Sequence, residues 1–302
     1  MSAVVALPFT VGARTVWRVK RRLVRRPFGL AETLSGELPH LPPLARDAHG
    51  YLVTSLPAAL ADPLLAGSPA LKPFVRQRYA RHYLSLEGGF DAYMATFSAK
   101  TRSTLKRKRK KMEERSGGAL DLRCYRTPDE MADFYAHARA VSATTYQERL
   151  LNAGLPEGDE ALARMRDLAS RDAIRGWILF VEGRPISYLH APAEGDTLIY
   201  AHLGYDPEFA DFSPGTVLQL DAVRQLMEEG RFRFFDFTEG EGQHKSRFAT
   251  GAVECIDLLL LRPTIGNIAA ARALIGFDAA VAGAKLAAAK FGIEKVARSL
   301  LR

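Results

Sequence analysis

The segment from Asp236 to Phe248 brings carboxylates, a histidine and basic residues close together in this 302-residue chain. Asp236 ends a β-like run, and the ends of strands often hold sites. Glu239 lies in the glycine-rich acidic stretch that follows and leads to Lys245. A carboxylate can accept a proton while a fixed cation stabilises an oxyanion. We predict Lys245 as that cation and Asp236 or Glu239 as the general base; a polar hairpin with a surface ion pair is the alternative.

A histidine on a predicted strand is another candidate for the general base. His202 follows Tyr200 at a spacing of two, so the two side chains share one face of the strand. Imidazole changes its charge near neutral pH and therefore suits proton transfer. A lone strand histidine is more often a structural residue with satisfied hydrogen bonds, and this applies to both His190 and His202.

The stretch Ser213-Pro214-Gly215-Thr216 predicts a helix start that could bind an anion. Proline is favourable at the first helical position, where its missing amide costs nothing. Glycine has no side chain and would let a ligand approach the backbone closely. Free amides and the helix dipole favour a phosphate, so a pyrophosphate of coenzyme A would fit here. We predict Ser213, Gly215 and Thr216 as contacts to acyl-CoA, although most helix starts of this kind are only caps.

The elements that must position these segments follow from apolar periodicity and turn residues. Predicted helices cover Phe90–Thr96, Phe97–Met112, Thr127–Ala143, Leu162–Ala169 and Pro214–Glu229. Predicted strands cover Tyr51–Ser55, Val75–Leu86, Leu120–Arg126, Trp177–Val181, Ile186–His190, Leu198–Leu203, Phe232–Phe237 and Val253–Leu261. Short turns join the strands between Trp177 and Leu203, which predicts an antiparallel meander. The order of elements predicts an α+β fold on one mixed, mostly antiparallel sheet flanked by helices.

Basic residues are concentrated in separate segments of a chain whose formal charge is +8. In the run from Thr15 to Arg26, Val16, Val19 and Leu23 fall at helical spacing beside Trp17. We predict a short basic amphipathic helix there. Such a helix suits an anionic membrane surface, or it packs on its own protein with a solvated basic face.

The second basic run lies within the predicted helix from Phe97 to Met112, for which Ser98 is the predicted N-cap. Leu105 and Met112 form its only apolar line, so charge covers the rest of the surface. A charged surface of this kind suits anionic partners. A protein that binds nucleic acid without catalysis is the less favoured interpretation, because the run has no interleaved aromatic residues for base stacking.

The C-terminal segment 264–302 is alanine-rich and basic, and we predict amphipathic helices that pack on the core or lie on an anionic membrane. No uninterrupted apolar run reaches the roughly 18–20 residues that a spanning helix needs, and no secretory signal is expected. Cys124 and Cys255 form no CxxC pair, so neither a disulfide framework nor a metal site is predicted. These features predict a cytoplasmic protein, either soluble or peripheral on the inner face of the membrane.

Several of these motifs resemble, in the same order, the Fem-like branch of the GNAT superfamily, which also holds acyltransferase-like proteins associated with cellulose synthesis. The matching segments are the basic helix Phe97–Met112, the strand and loop Tyr200–Ala210, the helix start Ser213–Leu218, and the closing segments Asp236–Gly240 and Lys245–Phe248. The resemblance covers residues 97–263. It implies a GNAT-like acyltransferase domain there, and the pattern of elements predicts the flanking parts: an accessory lobe with the basic helix and a linker (1–96) and C-terminal basic helices (264–302).

The resemblance implies a split sheet that holds an acyl donor against an amine acceptor. Donors are usually acyl-CoA in the superfamily and aminoacyl-tRNA in the Fem branch; Ser213–Thr216 replaces the usual Gln/Arg-x-x-Gly-x-Gly/Ala pyrophosphate loop. We expect an acyl-CoA-dependent N-acyltransferase with a lipid or cell-envelope precursor as acceptor, and a Fem-type aminoacyl-tRNA-dependent transferase as the alternative. Lys100, Arg102, Tyr146 and Arg247 are the predicted substrate contacts.

Overall fold

The computed structural model describes residues 3–11, 14–38, 40–145, 154–239 and 243–290. The strands are β1 (Ala3–Val11), β2 (Arg14–Pro27), β3 (Gly50–Pro57), β4 (Lys72–Ser85), β5 (Asp121–Tyr125), β6 (Ile174–Val181), β7 (Arg184–Glu194), β8 (Thr197–Ile199), β9 (His202–Tyr205), β10 (Phe234–Asp236) and β11 (Gly251–Leu261). The α-helices are α1 (Leu30–Ser35), α2 (Ala61–Ala66), α3 (Gly89–Ala95), α4 (Ala99–Arg115), α5 (Met131–Ser142), α6 (Asp159–Ser170), α7 (Pro214–Glu229), α8 (Gln243–Phe248) and α9 (Ile265–Lys290).

The chain divides into two compact units. The first comprises Met1–Arg81, Glu239–Glu241 and Ala252–Arg302. The second comprises His82–Thr238 and Gly242–Gly251.

The first unit contains a sheet in the order β1-β2-β3-β11. β1 and β2 form an antiparallel hairpin, β2 runs parallel to β3, and β3 is antiparallel to β11. One face of this sheet packs on α9 through a cluster that contains Leu7, Leu23 and Leu274. The other face packs Val53 and Leu56 into a second cluster. Both faces of the middle strands are therefore covered.

The predicted helix from Thr15 to Arg26 is wrong, because these residues form β2. In a strand, the β-branched residues are favourable, and Leu23 is fully buried against α9 and β11. β1 pairs with β2 along Ala3–Val11 and so supplies the neighbouring strand on one side.

The second unit contains a sheet in the order β10-β8-β7-β6-β5, with the last residues of β4 paired to β10. All of its ladders are antiparallel except that between β8 and β10. α4 and α7 pack their apolar residues into one cluster, whereas α5 and α6 supply another with Phe134 and Met165. The predicted mixed, mostly antiparallel sheet with flanking helices is confirmed.

The basic helix is confirmed as α4, with Ser98 as its N-cap: the Ser98 hydroxyl accepts a hydrogen bond from the Thr101 amide. Leu105 and Met112 are its buried residues, as the heptad spacing predicts. The predicted C-terminal helix is present to Lys290, and residues 291–302 lie outside the described part.

Among the described residues, Ile265–Ala284 is the helical stretch long and apolar enough overall to cross a membrane, with 17% of it buried. Arg272 and Asp278 interrupt it, and a helix packed on a soluble protein meets the same criteria. This feature alone is therefore weak evidence for a membrane span.

Candidate active site

The sheet of the second unit opens where β9 separates from β10. β8 pairs in parallel with β10, with Ile199 opposite Asp236, and the Tyr200 amide donates to the Asp236 carbonyl at 2.9 Å. β8 also pairs with β7, and from Ala201 onward the chain keeps β7 as its partner, since the Ala201 amide donates to the His190 carbonyl at 3.3 Å, while its described pairing with β10 ends. The predicted strand Leu198–Leu203 is thus divided into β8 and β9. The two strands therefore part beyond Tyr200 and Asp236, and this leaves an opening in the sheet.

His202 is the first residue of β9 and stands directly opposite His190 on β7. The two Nδ1 atoms are 3.3 Å apart, so one ring donates a hydrogen bond to the other. His190 is buried, and its ring stacks on Phe134 with the centroids 6.2 Å apart. Its Nε2 atom is buried with no hydrogen-bond partner among the described residues.

Both imidazoles are held in the neutral form by their surroundings. Burial lowers the pKa of His190 to about 3, and the positive charges of His202 and Arg164 act in the same direction. Burial also lowers the pKa of His202 below its ordinary value. When His202 donates from Nδ1 to His190, its Nε2 lone pair is left to accept a proton. The pairing of His190 with His202 is not evident from the sequence, because the contact depends on the register of β7 and β9.

The start of α7 offers fewer backbone donors than its sequence suggests. Pro214 has no amide, while the amides of Thr216 and Val217 both donate to the Ser213 carbonyl, at 3.0 and 3.2 Å. The Gly215 amide, also in this first turn, does not donate to that carbonyl. Ser213 is in the left-handed region with φ 55°, which is unusual for a residue other than glycine.

Packing within the protein requires a glycine at position 215. A Cβ atom at this position would come within 2.8 Å of the Leu203 Cδ2 atom. Glycine therefore lets α7 lie close against β9, at the opening of the sheet. The Ser213 side chain makes no capping hydrogen bond, so its hydroxyl is not used to cap the helix.

Asp236 and Glu239 occupy different environments. Asp236 is buried, and its Oδ1 atom accepts the Thr238 amide at 2.8 Å, which holds the turn after β10. Thr238 takes a positive φ of 62° in this turn. Glu239 is exposed. The Asp236 Oδ1 atom is therefore occupied in holding the backbone turn beside the opening.

Lys245 and Arg247 lie on the short helix α8, which replaces the polar hairpin considered from sequence. Lys245 is partly buried, whereas Arg247 is exposed. Phe248 anchors the helix, because its ring packs on Phe97 with the centroids 6.0 Å apart and its carbonyl accepts from the Tyr93 hydroxyl at 3.0 Å.

The same packing brings α8 close to α4. Burial lowers the pKa of Lys108, with a further contribution from the positive charge of Arg247. Arg102 donates to the Phe97 carbonyl and so braces the start of α4. Lys100 is exposed on that first turn. The predicted contact Tyr146 lies outside the described residues.

Comparison with known proteins identifies the class of this domain. Residues 99–246 match the model of the acetyltransferase (GNAT) domain family. The chain therefore carries a GNAT domain, the domain of N-acyltransferases, as the sequence motifs predicted. None of the curated proteins matches the chain significantly.

Solved structures with this fold include two that cover most of the chain. The C-terminal domain of a protein named as a lysylphosphatidylglycerol synthetase, from Agrobacterium fabrum, matches with a TM-score of 0.52 and 13% identity over 78% of this chain and 73% of that one. The crystal structure of FemX matches with a TM-score of 0.54 and 10% identity over 86% of this chain and 88% of that one. At these identities the likeness establishes the fold alone.

Proposed function

We propose that this protein transfers an acyl group from acyl-CoA to the amine of an acceptor, with His202 as the general base. The observation that carries the proposal is the opening between β9 and β10, which has a half-buried neutral imidazole at its edge and the start of α7 packed against β9. A base of this kind must be neutral before the reaction, and burial keeps His202 so.

In the proposed reaction, the acceptor nitrogen attacks the thioester carbonyl and a C–N bond forms. The amine proton passes to Nε2 of His202, directly or through one water molecule. The C–S bond then breaks, and the thiolate leaves and takes up a proton. Lys245 stabilises the negative charge on the carbonyl oxygen in the tetrahedral stage. Asp236 maintains the turn beside the opening, and Glu239 is the less favoured base because it is exposed.

The start of α7 is the proposed contact for the coenzyme A phosphates. The Gly215 amide, the Ser213 hydroxyl and the Thr216 hydroxyl would hold them, helped by the dipole of a 16-residue helix. This set fits one phosphate group more readily than a whole pyrophosphate, since Pro214 has no amide and two others are used within the turn. Coenzyme A would supply the activated thioester.

An aminoacyl-tRNA donor is the second candidate, and one surface favours it. A groove between α3, α4 and α7 has four cations in its lining, Arg102, Lys106, Arg109 and Arg224, against two carboxylates, Asp91 and Glu228. Such a groove suits a phosphate backbone. The acceptor in either case is proposed to be a lipid or cell-envelope precursor, in keeping with the fold shared with a protein named for lysylphosphatidylglycerol synthesis.

Release of free thiol from acyl-CoA in the presence of a panel of amines tests the first candidate. We expect His202→Gln to lower kcat/KM by about 10² or more, the usual contribution of a general base. Because the pKa of His202 is lowered, the wild-type rate should stay high below the ordinary histidine pKa of about 6.5 and fall only when the pH passes the lowered value. The His202→Gln profile should lack that acid limb.

A matched control is His137→Gln, on α5 and apart from the opening, which should leave the profile unchanged. If acyl-CoA supports no turnover and gives no heat of binding with the folded protein, the first candidate is wrong. Transfer from aminoacyl-tRNA would then establish the second.

A further inference from the structure

The first unit contains a cavity that the proposed reaction does not use. The cavity has a volume of about 780 Å³, and it lies between the segment 38–44, the helix α2 with the turn after it, and the residues that follow β11. Tyr51 and Leu64, both buried, form part of its lining. Pockets of about 300–1,000 Å³ are typical of sites for small organic ligands. This cavity is therefore large enough to hold one such molecule.

The walls of the cavity are mostly aliphatic. Leu38, Leu41, Leu44 and Leu71 belong to the lining, and none of these four leucines is fully buried. Leu38 is 54% exposed. A ligand with an aliphatic chain would remove this apolar surface from water, which is favourable.

The wall that contains Leu41 and Leu44 is fixed to the sheet by hydrogen bonds. The Tyr51 hydroxyl donates to the Pro42 carbonyl at 2.5 Å, and the Arg262 Nη2 atom donates to the Ala45 carbonyl at 3.1 Å. These bonds hold the segment over the cavity without a ligand. The site is therefore preformed, and binding does not have to order this wall.

One permanent charge accompanies these apolar walls. Arg262 lines the cavity, is half-buried and forms no ion pair with a described residue. Burial raises the pKa of Tyr51, and the positive charge of Arg262 opposes this effect, which places the guanidinium near that buried residue of the lining. No described residue of the lining carries a carboxylate. A half-buried cation beside apolar surface, with no anion to pair with it, favours an anionic ligand.

We propose that this cavity binds a fatty acid, with the aliphatic chain against the leucines and the carboxylate on Arg262. The guanidinium presents its N–H donors in a geometry that matches a carboxylate. A carboxylate carries one negative charge, which the one charge of Arg262 balances. A phosphate monoester carries a charge of about −1.5 to −2 near neutral pH, so part of its charge would stay unbalanced. A neutral aliphatic alcohol would leave Arg262 without a partner.

Displacement of the fluorescent fatty acid cis-parinaric acid from the full chain tests this proposal. Dodecanoate, dodecanol and dodecyl phosphate are the competitors, each used below the concentration at which it forms micelles. We expect dodecanoate to displace the probe at a concentration about tenfold or more below that of the other two, because a hydrogen bond between charged groups favours it. Equal displacement by dodecanol, stronger displacement by dodecyl phosphate, or no displacement by dodecanoate would overturn the proposal.

Variants of Arg262 test whether this residue selects the carboxylate. Arg262→Gln keeps a donor for the Ala45 carbonyl but loses the charge, so it should bind dodecanoate about tenfold more weakly and dodecanol as before. Arg262→Lys keeps the charge and should keep the preference for dodecanoate. A preference that survives in Arg262→Gln would show that another group binds the carboxylate, and the proposed role of Arg262 would be wrong.

A change in the apolar wall should act differently. Leu41→Asp places a charge among the leucines and should weaken the binding of both dodecanoate and dodecanol. The matched control is Arg46→Gln, an exposed cation of the same segment outside the lining, which should leave both affinities unchanged. Equal losses in Arg46→Gln and Arg262→Gln would show that binding follows net charge alone. Fatty-acid binding needs no acyl donor, so its failure leaves the acyltransferase proposal untouched.

Discussion

Two basic segments of similar composition fold in opposite ways. β2 is a strand of 14 residues in the first unit, and α4 is a helix of 17 residues in the second. β2 contains three valines and gains its partners from β1 and β3. α4 contains no β-branched residue beyond Thr101 and Thr104, and it buries only Leu105 and Met112. The comparison teaches that charge density does not select the element; β-branching and an available partner strand do.

The segments also differ in how their cations are used. Arg109 of α4 faces Asp221 of α7, with Nε 3.2 Å from each carboxylate oxygen, and it pairs with Glu113 as well. Arg18 and Lys20 of β2 have no such described partner. The cations of α4 thus contribute partly to the fold, whereas Arg18 and Lys20 lie exposed on the surface of β2.

The largest expected effect comes from truncating the buried anchor of each segment. Leu23→Ala in β2 and Met112→Ala in α4 should each lower the free energy of unfolding by about 2–5 kcal/mol, since each leaves a cavity in a packed cluster. Chemical denaturation measures this. Lys20→Ala and Lys110→Ala are the exposed controls, expected within about 0.5 kcal/mol of wild type. An unchanged midpoint for either anchor variant would contradict its burial.

A smaller effect should separate the cations of the two segments. Arg109→Ala should cost about 1–3 kcal/mol, because it leaves the nearly buried Asp221 carboxylate with Arg224 at 3.5 Å as its remaining described cation. Arg18→Ala should change stability by no more than about 0.5 kcal/mol. Thermal unfolding measures both variants. Equal losses of stability would show that the two segments do not differ in how their cations are used.

The smallest effect concerns the helix start. Ser98→Ala removes the acceptor for the Thr101 amide and should cost about 1 kcal/mol. Ser98→Asp should restore the stability, because aspartate also caps and its charge suits the helix N-terminus. Far-ultraviolet circular dichroism during denaturation follows both. A more stable Ala variant would show that Ser98 does not act as the cap.

Local patterns predicted α4 and its cap, α7 and most strands correctly, because these depend on neighbours a few residues apart. β2 was missed for a physical reason: Val16, Val19 and Leu23 fit a helical stripe, and only the apolar alternation of β1 reveals the competing hairpin. The His190–His202 contact depends on strand register in the same way. Helix α8 was not predicted, because the glycines and charged residues around it indicate a loop.

The position of Pro8 has a consequence for solubility. β1 is the edge of its sheet, and most of its nine residues are apolar, so its outward backbone groups could pair with a strand of another molecule. Proline is tolerated in an edge strand where its nitrogen faces away from the neighbouring strand. Pro8 therefore leaves a gap in the outward row of donors, and the register shift between Phe9 and Thr10 distorts the same edge. Together these two features disfavour pairing of the edge strand β1 with a strand of another molecule.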